Sequence, residues 1–363
     1  MKRLKLIVWG PGAMGQAAIR EILRIPEFEL VAVFAYSQSK VGQDVGTLIG
    51  HEPIGIVIEG NRETIMRMEA DCVIHAAAPL PSIELYDEDV LALLKSGKNV
   101  ISLSSYHYTH MYGEQRVQKL QAACRAGGVT LHGTGIHPSF IFERLGLSAT
   151  GLSNRVKRVR IREIVELKDV QSPETLKAFG FGQQPDKNLF SDDGMVSKVL
   201  GHYYRESINF FCSRVWGKNC DRIEKQSSQT VAENDMHMKA LVIKKGEVCV
   251  SRVKYTGIID AVPKVTMEEE WYAVPEVCPV SGMHEPHYWD VEVEGEPVSL
   301  RMRLETFASI DERRHDYGAD PTMVPYYASV VPALQAVAKV CIAPPGLLYQ
   351  DVFAHARPNM SSI

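Results

Sequence analysis

Lys5-Leu6-Ile7-Val8-Trp9-Gly10-Pro11-Gly12-Ala13-Met14-Gly15 is the stretch that decides how the chain is read. A short apolar run leads straight into Gly10-x-Gly12-x-x-Gly15, and Gln16 to Leu23 then has the character of a helix. Strand, glycines and helix in that order are what a dinucleotide fingerprint requires. Gly10 permits the tight turn out of the strand. Gly12 lets the backbone approach a pyrophosphate, and Gly15 lets the helix pack closely on the sheet. The N–H groups at the helix start, around Ala13 and Met14, and the positive end of the helix dipole suit a bound phosphate.

Moving outward, Phe28 to Ala35 reads as a second strand, rich in β-branched and aromatic residues. An NAD site usually places a carboxylate at the end of that strand to bond the ribose 2′-hydroxyl. This chain has Tyr36-Ser37-Gln38-Ser39-Lys40 there. Two hydroxyls and a lysine, Ser37, Ser39 and Lys40, suit a 2′-phosphate better, because that group needs donors and positive charge. NADP(H) is the preferred cofactor on this reading, with NAD(H) as the alternative and a solvated Lys40 as the structural one.

Gly55 to Ile58 reads as a short strand, and Asp71 to Pro79 as a buried strand ending in small residues. Ala76, Ala77, Ala78 and Pro79 leave room for a flat cofactor ring, since ligands sit at the carboxyl ends of strands in open α/β sheets. Pro81 to Ser96 supplies a helix, and Val100 to Ser105 the next strand, whose Ser102 and Ser104 join the cofactor-facing set. Gln115 to Ala126 is a helix stopped by Gly127-Gly128, and Val129 to Gly135 a sixth strand. Strands alternating with helices at this spacing call for a Rossmann-type, doubly wound parallel sheet.

After Ile136-His137-Pro138 the texture changes. Phe140 to Gly151 is a helical connection, Arg155 to Lys168 alternates as a half-exposed strand does, and Met195 to Trp216 is a long amphipathic helix. Arg222 to Met238, Glu247 to Ile259, Val265 to Val274, His287 to Val293 and Val298 to Ala308 read as strands. A run of strands after an alternating half implies a separate α+β domain with a large mixed or antiparallel sheet. Thr322 to Cys341 is helical, with Pro325 and Pro332 interrupting the apolar spacing, and is expected to return to the first domain. The division is 1–138 for the nucleotide domain, 139–320 for a substrate and dimerisation domain, and 321–363 for the returning helix and tail.

Composition bounds the function. The 363 residues carry a formal net charge of −4, and no basic run points to nucleic acid or a membrane surface. No apolar run approaches the roughly 20 residues of a membrane span, and the first strand begins too early for a signal peptide. Seven scattered cysteines look like free thiols of a reducing compartment, so a cytoplasmic protein acting on a small molecule is expected.

Reduction of a C=N or C=O bond needs a proton donor near the developing charge. Tyr106 and His107 lie just beyond a strand whose carboxyl end faces the nicotinamide, and His137 stands at the crossing between domains; these three are the catalytic candidates, with plain packing as the alternative for each. Glu163 and Glu166 lie on opposite faces of the first strand of the second domain, so they cannot both point inward. Cys278 to His287 holds three metal-ligating residue types, but its spacing fits no common zinc pattern and no metal is expected. His202-Tyr203-Tyr204-Arg205 radiates around its helix, with Tyr203 and Phe210 on the core face. No Gly-x-Ser-x-Gly element occurs, so acyl hydrolysis has no support.

Several of these stretches resemble one family. Gly10-Pro11-Gly12-Ala13-Met14-Gly15 is similar to the opening of dihydrodipicolinate reductases and their relatives. Gly133 to Phe140, Asn154-Arg155-Val156, Phe179-Gly180-Phe181-Gly182, and Ala343 to Leu348 with Asp351 resemble the branch of 2,4-diaminopentanoate dehydrogenase and the native NAD(P)-dependent amine dehydrogenases. The resemblance spans nearly the whole chain. It implies a Rossmann domain, a substrate domain inserted before the last helix, and a homodimer built through the inserted sheet.

There are two departures. The paired histidines, lysine and Ser-Gly-Thr loop of true dihydrodipicolinate reductases have no counterpart between Ile161 and Phe190. The glutamate that the amine dehydrogenase branch carries just past the fifth strand is replaced by Ser104-Ser105-Tyr106-His107, and the next acidic residue is Glu114. The expected function is hydride transfer at an amine or imine carbon. Reduction of a C=O bond, or nucleotide sensing without turnover, are the alternatives.

Overall fold

In the computed structural model, residues 3–78, 83–191, 194–282, 285–308, 316–317, 320–349 and 351 are described. Leu6, Ile7, Val8 and Trp9 are wholly buried in strand β1, Leu4–Trp9. A strand covered on both faces reads as a continuous apolar run, and this one lies inside a parallel sheet. The chain continues through helix α1 (Ala13–Arg24), β2 (Phe28–Phe34), β3 (Cys72–His75), α2 (Ile83–Lys95), β4 (Asn99–Ser102), α3 (Glu114–Gly127) and β5 (Thr130–Gly133).

The segment 136–146 is a wide-turned helical stretch broken at His137, whose φ/ψ are extended. Beyond it the chain forms β6 (Arg155–Glu166), α4 (Met195–Trp216), β7 (Arg222–Val231), β8 (Val248–Ile259), β9 (Val262–Tyr272), β10 (His287–Glu296) and β11 (Leu300–Glu305). It closes with α5 (Val324–Ile342) and β12 (Gly346–Leu348).

These elements form two units, one of residues 1–140 and 307–350, the other of 141–306 and 351–363. The first contains a six-stranded sheet in the order β12-β5-β4-β3-β1-β2, every pair parallel. One face is covered by α1 and α5, through Ala17, Ile19 and Ile22 of the former and Val330, Ala333, Leu334 and Val337 of the latter. The other carries α2 and α3, through Val90, Leu93, Leu94, Leu120 and Cys124. The doubly wound sheet expected from the sequence is therefore present. Two details differ. Residues 55–58 form no strand; isolated bridges, Asp44 to Val57 and Phe34 to Glu59, and the Asp44 carboxylate, which accepts from the Ile54 and Gly55 N–H groups, tie that loop down. The sixth strand is instead β12, a three-residue edge after the last helix.

The second unit holds a mixed sheet, β11-β10-β6-β9-β8-β7, in which only β6 and β9 run parallel. Alternation sorts its faces. Val159, Ile161, Val165, Val265, Met267, Val253, Tyr255, Trp289 and Val291 are buried. On the opposite face Arg160 pairs with Glu268, Arg162 with Glu270, and Arg303 with Asp290. The chain enters this unit two residues later than the expected 138/139 step, and leaves it at 306/307 rather than 320/321. The strand expected over 222–238 stops at Val231. Among the described residues no helix is long and apolar enough to cross a membrane.

Candidate active site

The glycine turn is built as its residue types demand. Gly10 has φ +93°, where a side chain is strained, and a Cβ there would come within 2.8 Å of the Ala77 nitrogen. A Cβ on Gly15 would stand 2.2 Å from the Gly10 carbonyl oxygen, so helix α1 reaches the strand this closely only through glycine. A Cβ on Gly12 would meet nothing within 4 Å, so its glycine is not required by packing inside the protein. Gly12 caps α1 with no side-chain hydrogen bond and no acidic residue in the first turn. The first N–H groups of any helix have no partner within it, and here Ala13, Met14 and Gly15 supply them. The turn thus fits a pyrophosphate, through backbone donors and the positive end of the helix.

Beside the turn, the Lys40 ammonium donates to the Pro11 carbonyl at 2.7 Å, which fixes it against the glycine loop. Ser37 and Ser39 are exposed with their hydroxyls 2.7 Å apart. The structure brings Lys40 to the glycine turn, and the Ser37 carbonyl accepts from the Lys40 N–H at 3.0 Å in the same loop. Tyr36 stands at the same strand end; its hydroxyl accepts from the Trp9 indole at 2.9 Å and donates to Asp89, which also pairs with Arg62.

At the ends of β3 and β4, Ala77 lies under Gly10, and the Ser104 hydroxyl donates to the Ala77 carbonyl at 3.2 Å. Ala76 and Ala77 are half-buried and Ala78 is exposed, while Pro79 lies outside the described residues. Ser102 is placed otherwise. It is wholly buried, 2.8 Å from the Tyr86 hydroxyl, and it accepts from the Ser104 and Ser105 N–H groups at 3.2 and 3.1 Å. Its hydroxyl shapes the turn and does not face the cofactor cradle.

Tyr106 departs from expectation for a similar reason. It has φ +69°, an uncommon conformation for a residue with a side chain. Its ring lies among the buried residues on the α2/α3 face. The hydroxyl donates to Asp87 at 2.7 Å, and Arg116 holds the same carboxylate with two bonds of 2.7 and 2.8 Å. Burial first, and then the Asp87 charge, push the phenol well above its ordinary value. With its hydroxyl committed to Asp87 inside the core, Tyr106 is a buried anchor of this turn. His107 is buried beside it, at 2% exposure. His137 stands at the break in the helical stretch just before the second unit begins.

The second unit contains a cluster that the sequence reading identified only by half. Glu163 on β6 and Glu269 on β9 are direct partners in the parallel register. They interrupt an otherwise apolar inner face, and Glu269 is 1% exposed. The Glu163 carboxylate lies 2.5 Å from the His287 Nε2 on β10, and His287 packs against Trp289 at 4.3 Å. Glu269 lies beside Glu163 and faces Tyr204 of α4. Burial, then the charge of Glu163, drive the Glu269 carboxyl well above its ordinary value. Glu166, on the other face, is raised by burial and sits 3.4 Å from the Tyr272 hydroxyl. Glu269 went unread because Glu268-Glu269-Glu270 looks like a solvated run. The available signal was its place between Met267 and Trp271 on the apolar phase of an alternating strand.

The family profile described as "Dihydrodipicolinate reductase, N-terminus" matches residues 4–102. The chain is 23% identical over 282 residues to an amine dehydrogenase of Streptomyces virginiae, spanning 76% of this chain and 77% of that protein. It is 22% identical over 280 residues to 2,4-diaminopentanoate dehydrogenase of Acetoanaerobium sticklandii, spanning 76% and 78%. Among solved structures, the amine dehydrogenase of Mycobacterium smegmatis aligns with a TM-score of 0.72 at 20% identity, over 95% of this chain and 94% of that one. The resemblance to the amine dehydrogenase branch is borne out. The expected Rossmann fold with its inserted mixed sheet is the one observed.

Proposed function

We propose that the protein is an NAD(P)H-dependent amine dehydrogenase that moves a hydride between the cofactor and the carbon of a small amine or imine. The observation that carries this reading is the similarity to two amine-acting dehydrogenases along three quarters of the chain. The built glycine turn supports it. The cofactor supplies the hydride chemistry when bound. Gly10, Gly12, Ala13, Met14 and Gly15 hold its pyrophosphate, and Ala76, Ala77 and Ser104 bound the nicotinamide side. NADP(H) is preferred through Ser37, Ser39 and Lys40, because a fixed ammonium beside two hydroxyls complements a 2′-phosphate. His107 and His137 stay as candidate proton groups.

Fluorescence titration tests the cofactor half. NADPH is expected to bind at least tenfold more tightly than NADH, about 1.4 kcal/mol, and Lys40→Ala to erase most of that difference. Equal binding of the two by the unaltered protein would remove the 2′-phosphate reading. Ketones offered with ammonia test the chemistry. Oxidation of NADPH only with ammonia present is expected, whereas oxidation without it would make the protein a carbonyl reductase. All seven cysteines are unbonded, which supports a cytoplasmic setting. A homodimer through the charged outer face of the second sheet completes the reading. Light scattering should return about twice 40.5 kDa, and a mass of 40.5 kDa would exclude it.

A further inference from the structure

The inner face of β10, β6 and β9 places two carboxyl groups and an imidazole in one patch, with three phenols, Tyr203 and Tyr204 of α4 and Tyr255 of β8, around it. On the outer face of the same strands, carboxylates stand beside arginines: Arg160 and Glu268, Arg162 and Glu270. On the inner face Glu163 and Glu269 stand beside each other. Desolvating two neighbouring carboxyls is costly, and apolar residues of similar volume usually serve a core as well or better. A cluster built at that cost invites a chemical role.

Its depth is graded. Glu163 and His287 keep 12% and 14% of their side chains exposed, whereas Glu269 is sealed behind them. Around Glu269 stand Glu163 from β6, Tyr203 and Tyr204 from α4, Tyr255 from β8, and His287 from β10. Like charges this close do not ionise together, so the pair holds one proton and one negative charge between its members. A group of that kind attracts an organic ammonium and can take a proton from it.

We propose that Glu163 is a catalytic residue, the base that receives the proton of the substrate ammonium, with Glu269 and His287 as positioning residues behind it. The inference rests on the amine dehydrogenase reading. In the oxidative direction the substrate's alkylammonium group gives one proton to the pair, leaving a neutral primary amine and a doubly protonated pair. The neutral amine then passes the hydride of its α-carbon to NAD(P)+, giving a protonated imine. Water adds to that carbon, an ammonium ion leaves with the carbonyl formed, and the pair returns its proton to solvent. A protonated amine cannot release a hydride readily, because the nitrogen lone pair that would stabilise the iminium is occupied.

The test uses the full chain with NADP+ and two amines, cyclohexylamine and 2,4-diaminopentanoate. Glu163→Gln is expected to lower kcat for oxidation of whichever amine turns over by about 100-fold, the usual scale of a lost general base. NADPH binding should stay within about twofold, and Glu163→Asp should restore part of kcat. His287→Asn should shift the acid limb of the kcat–pH profile without moving NADPH affinity. A loss of kcat below about tenfold in Glu163→Gln overturns the proposal.

If the unaltered protein oxidises no amine, the dehydrogenase reading falls separately. The carboxyl pair is then tested by melting. Cyclohexylammonium chloride should raise the melting temperature of the NADP+-loaded protein more than cyclohexanol does, and Glu163→Gln should abolish the difference. Equal shifts in both proteins overturn an ammonium site. Should Glu163→Gln fail to fold, Glu163→Ala takes the same two measurements with the same expectations.

Discussion

Tyr106 shows how one backbone angle decides what a side chain can do. At φ +69° the residue after Ser104-Ser105 turns its ring into the α2/α3 core, where Asp87 and Arg116 hold the hydroxyl. Tyr106→Phe should therefore cost about 1.5–3 kcal/mol of stability, the usual worth of a hydrogen bond to a charged group, and leave turnover within about threefold. A hundredfold loss of turnover in a well-folded Tyr106→Phe protein would return the tyrosine to the chemistry. Glu269 carries a pH prediction whose sign is fixed by its burial. Its folded-state value lies above the ordinary carboxyl value. Folding is therefore favoured below the unfolded value, where both states are protonated, and stability falls as pH rises through the folded one. Glu269→Gln should flatten that fall: compared with the unaltered protein, its melting temperature should gain more at pH 8 than at pH 5. A gain that is the same at both pH values would mean Glu269 is not a raised carboxyl. From sequence, neither residue could be placed, since a positive φ leaves no mark on a tyrosine and a buried glutamate looks like its solvated neighbours.

The elements were easier to read than the residues. β1, the glycine turn and α1 stand where the pattern Leu6 to Gly15 puts them, because that pattern states both a buried strand and a close helix approach. The 195–216 helix is likewise found with the expected ends, and its core side holds Phe210. Residues 55–58 misled for a physical reason: β-branched residues in a short run suit a strand, but here only single bridges form and no ladder follows. β12 was recognised only as a family-like motif, since three residues of Gly-Leu-Leu carry no period. The closeness of α1 to β1 makes Gly15 the sharpest element-level test. Gly15→Ala puts a methyl 2.2 Å from the Gly10 carbonyl oxygen. The turn must open to accept it, so NADPH affinity should drop at least tenfold. Binding unchanged by Gly15→Ala would show that the turn is softer than its packing indicates.

For the whole molecule, the division into an alternating half and a strand-rich half was legible because the period of the apolar residues changes after Pro138. The place of return was not, since the chain re-enters the first unit at residue 307, before any helix signal begins. That return has a consequence for how the protein comes into being. A ribosome delivers β1 to β5 first, yet the helix α5 that covers one face of their sheet, and the strand β12 that closes its edge, are made more than 180 residues later. The stretch 141–306 is continuous and emerges complete in the meantime. Domains tend to fold as they emerge, so the unit that starts the chain is the one that must wait. A nascent chain stopped before residue 324 would carry the glycine turn on a sheet with one face only half covered, by α1 alone, exposed to chaperones and poorly able to hold a nucleotide.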